Sequence, residues 1–373
     1  MRTFSHPGYK RFLLSVGCLL SIHFTALFFL TLFRLVFFFS ANYDFPDQEH
    51  VGFMSIWPAF IRGVWFDNVI ACYILLIPLV AVSISALFNY YGKILWNVTC
   101  IFFSLFYGIV LLVTAANIPY FQYFFKIINS SVFNWFGYMN TTAGMVFGET
   151  SYYPPLIGFL LTLVLFIWLM RRLIRHFQRL LNTKNPSVFW LDRIYIFLTA
   201  CICIGLCLFG IRGRTGYNPI KVSAAYYCTD PFLNQLGISP VFNLLSSTLD
   251  DSRKENRYLH LMPENEALEN TRHYLNRPGI EGISPIARQI NASDSLRRPN
   301  IVLIFMESMS AHLMKRFGQQ KELTPFLDSL YRQSLAFSNF YSSGIHTNHG
   351  MYATLYSFPS ILKRNAMKGS VIP

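Results

Sequence analysis

Residues 12–39 read FLLSVGCLLSIHFTALFFLTLFRLVFFF, a run broken by a single charge, Arg34. A helix rises 1.5 Å per residue, so about 20 apolar residues cross a hydrocarbon core of about 30 Å. This run is long enough, and it exceeds the 7–15 apolar residues of a secretory signal. No small-residue cleavage site follows it, so it reads as an uncleaved first span. Arg34 is expected to send its head to the interface or to a neighbouring helix.

Four more stretches carry the same signal: Val69–Phe88, Ile94–Ala116, Pro155–Met170 and Ile194–Ile211. The fourth is short, but Pro154-Pro155 and Arg171-Arg172 mark its ends. Composition agrees with five spans. The chain is 53% hydrophobic, 13% charged and 17% aromatic, with a mean hydropathy of +0.37. A soluble domain carries roughly a quarter charged residues, so a soluble enzyme, a disordered chain and a disulfide-dense secreted module are excluded.

The formal charge of +13 raises nucleic acid as a partner. Nucleic-acid binders gather basic side chains along one groove or helix face, whereas here they lie between apolar runs. No nucleic-acid partner is expected. With the N-terminus in the cytoplasm, the inner segments hold Arg2, Lys10, Arg11, Lys93, Arg171, Arg172, Arg175, Arg179, Lys184 and Arg193. The outer loops, 41–66 and 119–153, hold Arg62 and Lys126. This ten-to-two bias follows the positive-inside rule. It predicts a multi-pass protein of the cytoplasmic membrane, with everything after Ile211 outside. Six of the seven cysteines lie in apolar runs and read as small hydrophobes, and none has zinc-site spacing.

The spans define a first domain over 1–211. Composition turns polar at Arg212, and residues 212–298 read as an extracytoplasmic linker near the membrane surface or as a solvated tether. Within it Glu264–Leu275 (ENEALENTRHYL) has amphipathic helical spacing. From Pro299 the pattern changes again. Asn300–Met306 (NIVLIFM) is a short continuous apolar run, as in a strand buried on both faces. A helix is predicted from Leu323 to Ser334, with Thr324 as N-cap and Pro325 at the first helical position. A second strand is predicted over Ala336–Tyr341 and a further helix up to Phe358. Strand, helix, strand, helix opens a doubly wound α/β domain.

In such sheets ligands bind beyond the carboxyl ends of strands. Glu307 closes the first strand and Thr347 follows the second. A carboxylate is a hard ligand for Mn²⁺, Mg²⁺ or Zn²⁺. A threonine hydroxyl becomes a nucleophile when a metal or base takes its proton. The plainer readings are a solvated edge carboxylate and an N-cap. His346 and His349 have H-x-x-H spacing, which suits metal ligation, phosphate contacts or packing.

The order PNIVLIFMESMS, LTPFLDSL and FSNFYSSGIHTNHGMYATLYSFP resembles the start of the catalytic domain of lipoteichoic acid synthases and related phosphoglycerol transferases. These belong to the alkaline-phosphatase/sulfatase superfamily. The resemblance implies five spans, a linker and an extracytoplasmic α/β domain. It also implies Glu307 as a metal ligand, and Thr347 as both metal ligand and covalently loaded catalytic residue, with a divalent metal, Mn²⁺ first. A membrane phospholipid resembling phosphatidylglycerol would donate phosphoglycerol to a glycan or polymer acceptor.

No Cys follows Cys228, so the C/S-x-P-x-R nucleophile of sulfatases proper is not expected, and sulfate-ester hydrolysis with it. Phosphoethanolamine transferases set their threonine among disulfides, and no cysteine stands near Thr347. They remain the alternative enzyme reading, and a non-catalytic membrane anchor or scaffold the alternative of another class. The family completes its metal shell with a downstream Asp-His pair. Residues 299–373 are therefore expected to be the incomplete, N-terminal part of a sulfatase-like domain, inactive as it stands.

Overall fold

A computed structural model describes residues 6–41, 53–181, 190–253, 262–275, 300–344 and 347–357. The chain divides into two units, Met1–Pro263 and Glu264–Pro373.

The first unit is a helical bundle. Helices α1 (Pro7–Ser40), α2 (Phe53–Leu87) and α3 (Lys93–Phe124) are followed by a short α4 (Met139–Gly148) and then by α5 (Tyr153–Leu181) and α6 (Trp190–Arg212). Five of these, all but α4, are long and apolar enough to cross a membrane, as a multi-pass membrane protein requires. A helix suits lipid because it satisfies its own backbone. The embedded hydroxyls follow the same rule: Ser21, Thr31, Ser83 and Thr114 each donate to the carbonyl four residues earlier, at 2.7–2.8 Å.

Several span boundaries differ from the sequence reading, and α3 runs past Ala116 to Phe124, into the expected outer loop 119–153. Residues 53–66 were expected in a loop but extend α2, which runs through Pro58 and Pro78. Proline breaks a helix in water, whereas neighbouring helices and local adjustments tolerate it in a membrane. Helix α5 likewise continues past Met170, so Arg171–Arg179 are helical.

Helix α1 lies at the centre, packed on α2 and α5 and touching α3 and α6, while α6 packs along α2 and α3 along α5. Aromatic side chains lock these contacts. Phe166 of α5 meets Tyr107 of α3 and Phe29 of α1 edge-on, at 5.3 and 6.1 Å between ring centres. Where α1 begins, His6 Nδ1 lies 2.7 Å from the buried Asp192 Oδ1 of α6. Beside it Arg11 sits over the Tyr91 ring at 4.5 Å.

Residues 213–253 pack onto the opposite end of the bundle through α7 (Pro231–Leu236) and α8 (Pro240–Ser252). Asp230 caps α7 by accepting the Leu233 N–H at 2.8 Å. Phe232 then inserts between Phe37 and Phe121, 5.7 and 5.6 Å away. The buried Arg34 reaches the neighbouring helix, meeting Asp67 of α2 at 2.6 Å, and it donates to the carbonyls of Leu236 and Ile238. Gly63 makes room for it, since a Cβ there would lie 2.2 Å from the guanidinium. This stretch of the expected linker is therefore a fixed cap. Residues 276–298 lie outside the described residues.

The second unit contains α9 (Glu264–Leu275), α10 (Pro325–Gln333) and α11 (Thr347–Tyr356), at the helical positions predicted. Residues 300–306 and 336–341 form no strand among the described residues. A strand exists only where a neighbouring run completes its hydrogen-bond ladder, and no described segment pairs with either one. Ile301, Val302 and Ile304 are 85%, 83% and 75% exposed.

Candidate active site

The apolar run ends at Glu307, where the backbone turns sharply. Ser308 has φ +55°, a left-handed conformation uncommon for a residue with a Cβ. The turn ends the run at Glu307 and leaves its carboxylate exposed.

The next segment is built around a different carboxylate. Residues 311–313 and 315–317 form single turns, and Gly318 closes the second with φ +99°, which glycine adopts without a steric cost. Asp328, in the first turn of α10, accepts the backbone N–H of Lys315 at 3.2 Å and of Arg316 at 3.3 Å, and the Thr324 hydroxyl at 3.1 Å. Desolvation pushes its carboxyl upward. The two backbone bonds, the hydroxyl and nearby Arg332 together outweigh that push and hold it below the ordinary carboxylate range. Thr324 precedes Pro325 as predicted, but its hydroxyl does not cap the helix: it bridges Asp328 and the Leu313 carbonyl. Sequence reasoning missed Asp328, whose spacing from 315–316 carries no motif.

Thr347 opens α11, and its hydroxyl lies 3.1 and 3.0 Å from the two Glu307 carboxylate oxygens, across 40 residues of sequence. Both side chains are exposed. The structure thus brings together the two residues singled out from the sequence. His349 is buried, and Gly344 packs against its ring so closely that a Cβ would meet Nδ1 at 2.5 Å. The Ser343 hydroxyl donates to the His349 carbonyl at 3.1 Å. His349 thus packs against Gly344, while His346 lies outside the described residues.

The oxygen spacing bears on metal binding. Two ligands at right angles around Mg²⁺, each about 2.1 Å from the ion, stand about 3.0 Å apart. Glu307 and Thr347 have that spacing and the hard oxygen donors such ions prefer, so the pair fits two adjacent positions of a divalent-cation site. Among the described residues no group of three or more His, Cys, Asp or Glu gathers to complete it.

No solved structure matches the chain. Residues 299–371, the segment that carries Glu307 and Thr347, match the family model described as Sulfatase, which makes this segment similar to the alkaline phosphatase/sulfatase superfamily.

Proposed function

We propose that this protein is a membrane-bound transferase that moves phosphoglycerol from a phosphatidylglycerol-like lipid to a glycan or polymer acceptor through a covalent Thr347 intermediate. The observation that carries the reading is the Thr347 hydroxyl held at 3.0–3.1 Å over the Glu307 carboxylate, within a segment that matches the Sulfatase family.

Glu307 directs the hydroxyl proton toward itself and leaves the oxygen lone pairs free for attack. The backbone N–H groups opening α11 favour an incoming phosphate. A divalent cation bound to Glu307 and Thr347, Mn²⁺ or Mg²⁺ by donor type, would favour the alkoxide form of the hydroxyl. Thr347 Oγ then forms a bond to the headgroup phosphorus, and the bond from phosphorus to the diacylglycerol oxygen breaks, that oxygen taking up a proton. An acceptor hydroxyl next attacks the same phosphorus, gives up its proton and frees Thr347. The N-terminus lies in the cytoplasm in this reading, so Thr347 works on the outer face.

The test is phosphoglycerol transfer by the full-length protein in phosphatidylglycerol vesicles. Thr347→Ala should reduce transfer by about 10³-fold or more, and undiminished transfer would overturn the covalent step. Glu307→Gln should abolish divalent-ion binding in calorimetry, and unchanged binding would remove Glu307 from the metal site. Phosphoethanolamine transfer is the competing outcome of the same assay with the other lipid.

A further inference from the structure

Helix α5 buries one face and leaves the other bare. Phe166, Met170, Ile174 and Leu181 are buried against the bundle. Opposite them Trp168 is exposed, and so are Arg171, Arg172, Arg175 and Arg179, which follow it by three, four, seven and eleven residues and so form one stripe. The Phe177 ring lies beside Gly17, and Phe166 meets Phe29, so α5 runs antiparallel to α1. The stripe therefore lies at the end of the bundle where α1 begins, away from the α7–α8 cap. One open recess runs along it, from Val164, Ile167 and Trp168 at its apolar end to Arg175, His176 and Arg179.

These arginines lack the partners that other groups at this end have. His6 lies against Asp192, and Arg11 donates to Asn89 at 3.4 Å and sits over Tyr91. No Asp or Glu occurs between Glu149 and Asp192, and among the described residues none of the four arginines meets a carboxylate. Within the stripe the Arg172 guanidinium lies over the Trp168 ring at 5.4 Å, which ties the basic end to the apolar one. The helix dipole favours cations in the last turn, which accounts for Arg179 but not for Arg171, Arg172 and Arg175 further back. A bias of charge between the two sides of a membrane accounts for basic residues at one end of a span, not for their gathering on one face.

The face thus joins an apolar surface on a membrane-spanning helix to three guanidinium groups without a counter-charge. Guanidinium holds phosphate oxygens through paired N–H bonds, while its aliphatic stem lies along apolar surface. We propose that this face of α5 binds an anionic phospholipid, its phosphate held by Arg171, Arg172 and Arg175 and its acyl chains running along Val164, Ile167 and Trp168. A soluble anion makes no use of the apolar end. A zwitterionic phospholipid brings a cation that the arginines repel. The proposal does not involve Thr347 and does not rest on the transfer reading.

The experiment places the full-length protein in nanodiscs with a photoactivatable phosphatidylglycerol and maps the labelled peptides. Unlabelled phosphatidylglycerol should displace the label from α5 about tenfold better than phosphatidylcholine with the same chains. Peptides of α2 and α3 should show a much smaller preference. Arg171→Lys, Arg172→Lys and Arg175→Lys together keep every charge, and should cut the α5 preference to about threefold or less because lysine lacks the paired donors. Equal displacement by the two lipids in the unmodified protein, or the same preference at every helix, would overturn the proposal, and neither result depends on a variant folding. Displacement by inorganic phosphate as effective as by the lipid would overturn it in favour of a soluble anion, and an undiminished preference in the lysine variant would overturn the held phosphate. Label captured at the transfer site would fall in peptides of the second unit instead, so Thr347→Ala should leave the α5 labelling unchanged.

Discussion

The two units put similar apolar residues to opposite use. In the bundle Phe12, Phe103 and Phe166 are wholly buried. In the second unit Ile301–Met306 are between 47% and 85% exposed, and His349 is the buried residue among those described. The difference lies in how each element is completed. A helix closes its hydrogen bonds within itself and needs neighbours only to cover its faces. A strand has no closed bonds until another segment lies beside it. The five long helices are thus specified locally, while the apolar run before Glu307 is specified only together with its partners.

Substitutions should show the same contrast. The largest effect is expected at Arg34. Removing one partner of a buried ion pair costs about 3–5 kcal/mol, so Arg34→Leu should lower the unfolding midpoint of the first unit sharply and expose residues 213–253 to protease. Arg34→Leu combined with Asp67→Leu should recover part of that loss. A protease pattern unchanged in Arg34→Leu would show that the cap is held by Phe232 rather than by the ion pair.

Gly63→Ala comes next, because its Cβ would intrude on a guanidinium pinned by Asp67. Overpacking of this kind costs about 1–3 kcal/mol, measurable by the same unfolding assay. Asp230→Ala, which removes the α7 cap, should cost about 1 kcal/mol. In the second unit Leu303→Ala should change the stability of the 373-residue chain by no more than about 0.5 kcal/mol, as for an exposed side chain. A loss of several kcal/mol would show that a partner covers the run and would end the contrast.

The smallest effect concerns pH. The Asp328 carboxyl is held below its ordinary value, so its contribution is present above the unfolded pKa of about 3.9. It is lost as pH falls through the lower folded value. Hydrogen exchange at the Lys315 and Arg316 amides should stay slow down to about pH 4 and quicken below it, and Asp328→Asn should exchange faster at neutral pH. Equal exchange in both proteins would mean that the carboxylate does not hold that turn.

Much of this is legible in the sequence. Apolar length announced five spans, because lipid thickness sets one length for every crossing helix. The passage of α2 through Pro58 was not legible, since proline marks a boundary in water and not in a packed bundle. The α7–α8 cap was equally hidden. Phe232, Leu233 and Leu236 make too short an apolar pattern to separate a docked helix from a tether. The strand positions were read from residue type alone, and pairing is a property of two segments. Glu307 and Thr347 stood out through their resemblance to a family pattern. Asp328 follows no pattern at all, for its role depends on what lies across from it in space.

The central claim is that Thr347 carries the transferred group. The most direct measurement is mass spectrometry of the Thr347 peptide after the full-length protein meets phosphatidylglycerol without acceptor. The account predicts one phosphoglycerol on Thr347, discharged when acceptor is added. Sustained transfer with Thr347 unmodified, or an adduct on a different side chain, would contradict it.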